Sequence, residues 1–224
     1  MMRVLCITDL HGRPEALDRI LADAGPVDLV LLGGDITSFG TPHQAAELVE
    51  QAQSAGAPVL AVAGNCDSRA IDQRLAEMGV GLHGSGRVHR GVAVQGLSAM
   101  PPWLRQMYQF TEEELAAFLA AGCQQLGGIR PHVVLSHCPP RDGPVDRTWL
   151  GKHVGSTALR EFIQRHQPDL VVCGHIHEAR GMTRMGTTLV VNCGIAGRRF
   201  YAVVRVSETV EAELRRAPRA RRRR

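Results

Sequence analysis

Residues 3–35 read RVLCITDLHGRPEALDRILADAGPVDLVLLGGD. The run 3–8 is short, apolar and partly β-branched, the pattern of a strand buried on both faces. Pro14 opens a helical pattern over 14–23, at the one helical position where its missing N–H costs nothing. A second apolar run covers 27–32 and stops at Gly33-Gly34-Asp35. Strand, helix and strand within about thirty residues predict two parallel strands joined by a right-handed crossover. Both predicted strands end on acid: Asp9-Leu10-His11 after the first, Asp35 after the second.

The rhythm continues outward. Thr41 followed by Pro42 caps a helix over 42–54, then come a strand at 59–62 and a helix at 69–78. The middle changes character, with a hairpin of 87–89 and 92–97 turning at Gly91. A loop, 98–110, carries Pro101, Pro102 and Trp103. Thr111 with Glu114 forms a capping box that opens a helix to about 126. A strand at 133–136, a long loop at 137–156, a helix at 157–166 and a strand at 170–173 follow. The chain closes on hairpins, 182–185 with 187–191, then 200–206; 209–214 reads equally as a strand or a short helix. Residues 1–214 are expected to form the folded domain. Residues 215–224, with seven Arg and no acid, are expected to be a disordered tail, because clustered like charges repel and bury nothing.

Composition narrows the class. Of 224 residues, 44% are apolar, enough for a sizeable core and too many for a disordered chain. No run of 18 apolar residues occurs, so no membrane-spanning helix is expected. The first residues pass straight into the strand at 3–8, which leaves no room for a signal peptide. Six Cys without an export signal are expected to be free thiols in a reducing cytoplasm. The net charge of +4 belongs to the tail: without its seven Arg, 19 basic residues face 22 acidic ones. Nucleic acid as a partner is therefore not excluded, but the body lacks a basic stripe and only 4% of residues are aromatic.

The chemistry sits where strands end. Asp9-Leu10-His11-Gly12, Gly33-Gly34-Asp35, Gly64-Asn65-Cys66-Asp67, Ser136-His137 and Gly174-His175-Ile176-His177 each follow a predicted strand. In open α/β sheets the carboxyl ends of parallel strands share one crevice, and ligands bind there. Carboxylate, imidazole and amide oxygen together suit borderline and hard divalent cations, with no thiolate required. Asp9, His11, Asp35, Asn65, His137, His175 and His177 exceed the needs of one ion; two ions sharing a carboxylate fit better.

The series D-x-H, G-D, G-N-x-D, S-H-x-P-P and G-H-x-H, in this order and at strand ends, resembles the calcineurin-like metallophosphoesterases, closest to their small bacterial and archaeal members. The resemblance implies an α/β fold, a four-layer α-β-β-α sandwich of two packed mixed sheets with the metal site at strand carboxyl ends. It implies hydrolysis of phosphomonoesters or phosphodiesters by a hydroxide bridging two divalent ions, Mn2+ first, with Fe, Zn, Ni or Co as alternatives. Asp9, His11 and His177 would hold one ion, Asn65, His137 and His175 the other, and Asp35 both. Asp35, Asn65, Cys66, Asp67 and His137 would be the catalytic group, with Asp67 orienting its loop. Substrates would be small phosphate esters; the oligomeric state is left open.

One position departs from the family. Many members read G-N-H-D where this chain has Cys66, and a thiol does the work of that imidazole poorly. This favours substrates with good leaving groups. Arg13 and Arg69, each opening a helix after a motif turn, are candidates to contact phosphate. His153, in the long 137–156 loop, is a third. A nuclease and a non-catalytic interaction scaffold of the same fold are the rivals. Degraded ligand sets mark the scaffold, whereas all seven positions here hold a ligand-capable side chain. Cys6, Cys173 and Cys193 read as small core residues.

Overall fold

In the computed structural model, which describes residues 1–219, strand β1 (Met2–Ile7) leads through helix α1 (Pro14–Ala24) to β2 (Leu29–Gly33). Helix α2 (Pro42–Gln53) then leads to β3 (Val59–Val62) and helix α3 (Arg69–Glu77). The three strands pair in parallel, Val4 opposite Leu29 and Val30 opposite Val59. Two of the three helices begin where their caps require: Thr41 and Ser68 each accept an N–H from the first turn.

The second half repeats the plan. A hairpin of β4 (Gly86–His89) and β5 (Val92–Leu97) precedes α4 (Glu112–Gln125), which starts on the Thr111–Glu114 capping box. Then come β6 (His132–Ser136), α5 (Thr157–His166), β7 (Leu170–Cys173), β8 (Gly181–Met185) and β9 (Thr188–Asn192). These six strands form one mixed sheet ordered β4-β5-β6-β7-β9-β8. The chain returns to the first sheet with β10 (Phe200–Val206) and β11 (Val210–Arg216), giving β11-β10-β1-β2-β3.

Strand periodicity then builds four layers. Successive side chains of a strand point to opposite faces. Leu5 and Ile7 meet Leu17, Ile20, Val49 and Leu75 from the first three helices. Val4 and Cys6 point the other way, into a core shared with Val133, Leu135, Val172 and Val191 of the second sheet. The far face of that sheet packs Val134 and Val171 against Leu119, Leu159 and Ile163 of α4 and α5. Both sheets are thus apolar on two sides, which is why their strands show continuous apolar runs. Cys6, Cys173 and Cys193 are buried and unpaired, as small core residues. Among the described residues no helix is long and apolar enough to cross a membrane.

The C-terminal boundary read from charge is wrong. Residues 209–214, ambiguous in sequence, lead into and form most of strand β11, and that strand runs on to Arg216. Arg215 pairs with Tyr201 and Arg216 with Phe200. Ala217 is buried, donating its N–H to the Arg199 carbonyl. An edge strand is held by its backbone, so arginine side chains do not prevent pairing. The Arg216 guanidinium lies 4.7 Å from the centre of the Phe200 ring. The rest of the predicted tail, 220–224, lies outside the described residues.

The layer between the sheets carries the fold. Leu135→Ala removes a fully buried side chain there. It is expected to cost about 2–5 kcal/mol. Urea unfolding should show a lower midpoint at an unchanged m-value; a loss below about 1 kcal/mol would place the main core elsewhere.

Candidate metal centre

The turns after β1, β2, β3, β6 and β7 meet at one end of the two sheets. Backbone bonds splice them: Asp9 N–H donates to Gly34 O (3.0 Å), His11 N–H to Asp35 O (2.8 Å) and Gly174 N–H to His137 O (3.0 Å). Asp9, His11, Asp35 and His175 all sit at positive φ, between 46° and 65°. Such conformations cost non-glycine residues about 1–3 kcal/mol each and persist only where the surroundings enforce them. Four of the eleven non-glycine residues at positive φ among the described residues are thus ligand-type residues of these turns.

Glycine permits the close approach. A Cβ at Gly174 would strike Asp9 Oδ2 and stand 2.6 Å from Thr8 Oγ1. One at Gly64 would collide with the Asp35 amide and carboxylate. The glycines of G-H-x-H and G-N-x-D are therefore the clearance that lets two carboxylates enter.

Asp9 is completely buried and accepts the His175 N–H on both oxygens, each at 3.1 Å. Its Oδ1 lies 3.2 Å from His177 Nε2, and that nitrogen lies 3.4 Å from His11 Nε2. Burial pushes the Asp9 carboxyl up, but the bond to His177 and the nearby histidine charges outweigh it, so it titrates below its ordinary value. His11 turns its Nδ1 to Ser38 Oγ (3.1 Å) and its Nε2 toward Asp35 Oδ2 (3.7 Å). Asp9, His11 and His177 thus offer three ligand atoms within 4.8 Å of one another.

Asp35 joins this group to a second. Its Oδ1 accepts the Cys66 N–H at 2.7 Å and lies 3.5 Å from His137 Nε2. His137 Nδ1 meets the Gly33 carbonyl (3.1 Å), which can only accept, so that nitrogen carries a proton, and Nε2 points to Asn65 Oδ1, 2.8 Å away, and to Asp35. The His175 ring packs 5.1 Å from that of His137, and its buried Nε2 has no hydrogen-bond partner. Burial drives the His175 imidazole down to about 3, with the His137 charge second, so it is a lone-pair donor at neutral pH. An unpartnered buried imidazole nitrogen beside two carboxylates and further imidazoles fits a divalent cation.

Other predicted residues have different surroundings. Asp67 spends its carboxylate on the Ile36, Thr37 and Gly64 amides (2.8–3.0 Å) and the Thr37 hydroxyl, tying the β2 turn to the β3 turn. Burial and then the Asp35 charge raise it to about 6. Cys66 is half-buried beside Asp35 and His11. Burial first, then the Asp35 carboxylate, push its thiol far up, so it stays protonated. Arg13 lines a cavity together with His11. Arg69 lines a different cavity with His83 and Tyr108, and His153 is held by Asp146 at 2.7 Å.

Two further groups support the turns. Asn192, in the Asn192-Cys193-Gly194 stretch that follows G-H-x-H in the sequence, donates to the Ile176 (2.9 Å) and Gly174 (3.3 Å) carbonyls and accepts the Gly194 N–H, shaping the G-H-x-H turn from behind as that place in the sequence leads one to expect. Tyr108 donates its N–H to the Asn65 carbonyl (3.1 Å) while its hydroxyl bonds Asp72 (2.9 Å); nothing in sequence links 65, 72 and 108. Trp103 is exposed, its ring edge-on to that of His175 at 6.1 Å.

Residues 2–179 match the family model described as calcineurin-like phosphoesterase. An uncharacterized protein of Methanocaldococcus jannaschii is 31% identical over 197 residues, covering 85% of this chain and 87% of that protein. Among solved structures, a Thermus thermophilus protein superposes with a TM-score of 0.75 at 19% identity, over 95% of this chain and 98% of the other. A dimetal phosphatase of Danio rerio superposes with a TM-score of 0.63 at 12% identity, over 96% of each chain. At these identities the structural likenesses establish the fold.

The clearance at Gly174 is testable. Gly174→Ala forces Asp9 aside, so bound metal per protein should fall by at least one equivalent. The reference Gly56→Ala, where an added Cβ meets nothing but φ is +77°, should lower stability and leave metal content unchanged. Full metal occupancy in Gly174→Ala would show that Asp9 is not held by this contact.

Proposed function

The chain belongs to the calcineurin-like phosphoesterases, and from that premise we propose that it hydrolyses small phosphomonoesters or phosphodiesters at a pair of divalent cations. The observation that carries the reading is the convergence of seven ligand-capable side chains from both sheets, including a buried imidazole nitrogen that bonds nothing in the protein. Asp9, His11 and His177 would hold one cation, Asn65, His137 and His175 the other, with Asp35 shared between them. Mn2+ is the first choice, with Fe, Zn, Ni or Co compatible with the same donors. Bound there, divalent ions would supply Lewis acidity toward the phosphoryl oxygens and lower the pKa of a water held between them.

The chain's own residues do the rest. The Gly33 carbonyl fixes the His137 tautomer, and the Asp9 carboxylate orients His177 and the His175 backbone. Asp67 acts as a positioning residue, because its four accepted bonds set the Asp35 and Asn65 turns against each other. Cys66 holds Asp35 through its backbone N–H, whatever its side chain does. Its protonated thiol is a weak hydrogen-bond donor, so leaving oxygens that need little protonation are favoured. Arg13 is the best placed of the three predicted phosphate contacts, since it shares a cavity with His11. A scaffold without catalysis has no need to gather seven ligand-capable side chains at one end of the sheets.

Asp35→Asn tests the shared ligand. It should lower turnover by orders of magnitude and reduce metal from two equivalents, measured together on one preparation. Wild-type turnover with both equivalents retained would remove Asp35 from the centre.

Cys66→His tests the leaving-group step. General acid catalysis contributes about 100- to 10,000-fold where it operates. Gains should be largest on alkyl phosphates and small on nitrophenyl esters. A plot of log rate against leaving-group pKa should therefore be flatter for the variant. Parallel lines would mean that the imidazole only crowds Asn65.

A further inference from the structure

Beside the metal centre lies an open cavity of about 430 Å³, formed by the start of α1 and the loop before β10. Its lining holds Arg13, Arg19, Arg198 and Arg199 against a single acid, Glu15, and includes His11. Among the described residues none of the four arginines forms an ion pair, although six other arginines do. Arg216 and Arg219 add further positive charge close to Arg199. Desolvation, followed by the charges of Arg216, Arg219 and Arg19, holds the Arg199 guanidinium below its ordinary value. Four guanidinium groups against one carboxylate leave an excess of positive charge that an anion would offset.

The cavity is also built in register with the centre. Ala196 donates its N–H to Thr8 O (2.9 Å) and Gly197 to Asp9 O (3.0 Å), so the loop that carries Arg198 and Arg199 is fastened to the turn that carries Asp9. Arg199 Nε donates to the Ala217 carbonyl (2.9 Å), which anchors the base of that side chain. Arg13 precedes α1 without making a side-chain capping bond, and the positive end of this eleven-residue helix points the same way.

We propose that this cavity is an anion subsite that takes a second phosphate group of the substrate, so that the preferred substrates carry another phosphate next to the scissile one. The proposal rests on the phosphoesterase reading of the metal centre and names the substrate class within it. His11, which belongs to both, sets the second group one side chain away from the reacting phosphate.

The test uses the metal-loaded full chain at fixed free Mn2+, with inorganic pyrophosphate and orthophosphate as probes. Arg19→Gln/Arg198→Gln removes two charges from the cavity and touches no metal ligand. Each probe is measured by inhibition of bis(4-nitrophenyl) phosphate hydrolysis and by calorimetric binding. The double variant should bind pyrophosphate about ten- to a hundredfold more weakly, as loss of charged hydrogen bonds implies. Orthophosphate should change less than threefold, and turnover of the aryl diester should stay unchanged. Arg165→Gln/Arg184→Gln, which removes the same charge from α5 and β8, should leave both probes unaffected. Equal losses for the two probes, or equal losses in both variants, would overturn the subsite. If wild-type protein turns over neither the diester nor 4-nitrophenyl phosphate, the phosphoesterase reading fails. Calorimetry then still decides the subsite, and an unchanged pyrophosphate affinity in Arg19→Gln/Arg198→Gln overturns it.

Discussion

The buried Asp9 carboxylate is the joint on which the site depends. It leaves the last turn of β1 in one sheet and accepts the His175 amide from the turn after β7 in the other. The same oxygen that meets His175 also contacts His177. A carboxylate without solvent is expensive unless every lone pair is used. Here backbone donors and imidazoles use part of that capacity, and the remainder faces His11 and Asp35. The arrangement suits positive charge from outside the chain, and its hydrogen bonds couple two sheets that otherwise touch mainly through apolar side chains.

That coupling explains the distribution of strain. The inter-sheet core of Val4, Cys6, Leu31, Val133, Leu135 and Val172 fixes the two sheets face to face. Once they are fixed, the turns at their ends have little room, and four ligand residues adopt left-handed backbone conformations. Glycines at 64 and 174 absorb the closest contacts. The core supplies the free energy that keeps the turns strained, and the strain keeps the donors aimed at common points. Asp67 and Asn192 complete the effect from behind, each saturating its side chain with loop backbone. The arginine-lined cavity extends the same logic to substrate. The loop that carries Arg198 and Arg199 hangs from the Asp9 turn by two backbone bonds, which fixes these arginines relative to Asp9.

The one departure from the family pattern also follows from local electrostatics. Cys66 sits against two carboxylates, and its thiol is held protonated by burial and by Asp35. Its backbone amide remains indispensable to Asp35, which separates what the turn does from what the side chain does.

How much of this was legible differs by element. The βαβ reading of residues 3–35 and the caps at Thr41 and Thr111 stood in the sequence, because strand length, helix period and capping chemistry are local. The seven ligand types and their strand-end positions were legible for the same reason. Three things were not. Residues 209–214 read equally as strand or helix, and the run of β11 on to Arg216 was hidden because edge pairing is a backbone matter that an arginine run does not reveal. His153 stood out by its loop and Arg69 by opening a helix after a motif turn, but their surroundings were not readable: His153 bonds Asp146 and Arg69 lines a cavity with His83 and Tyr108. The grouping of Arg13, Arg19, Arg198 and Arg199 spans some 180 positions of sequence, and only the return of the chain through β10 beside β1 brings the two pairs together. Which donors this protein has, and where its strands stop, can be read from short stretches of chain. Which donors share a point in space follows from how two sheets stack, and stacking is set by long-range burial that no local pattern encodes.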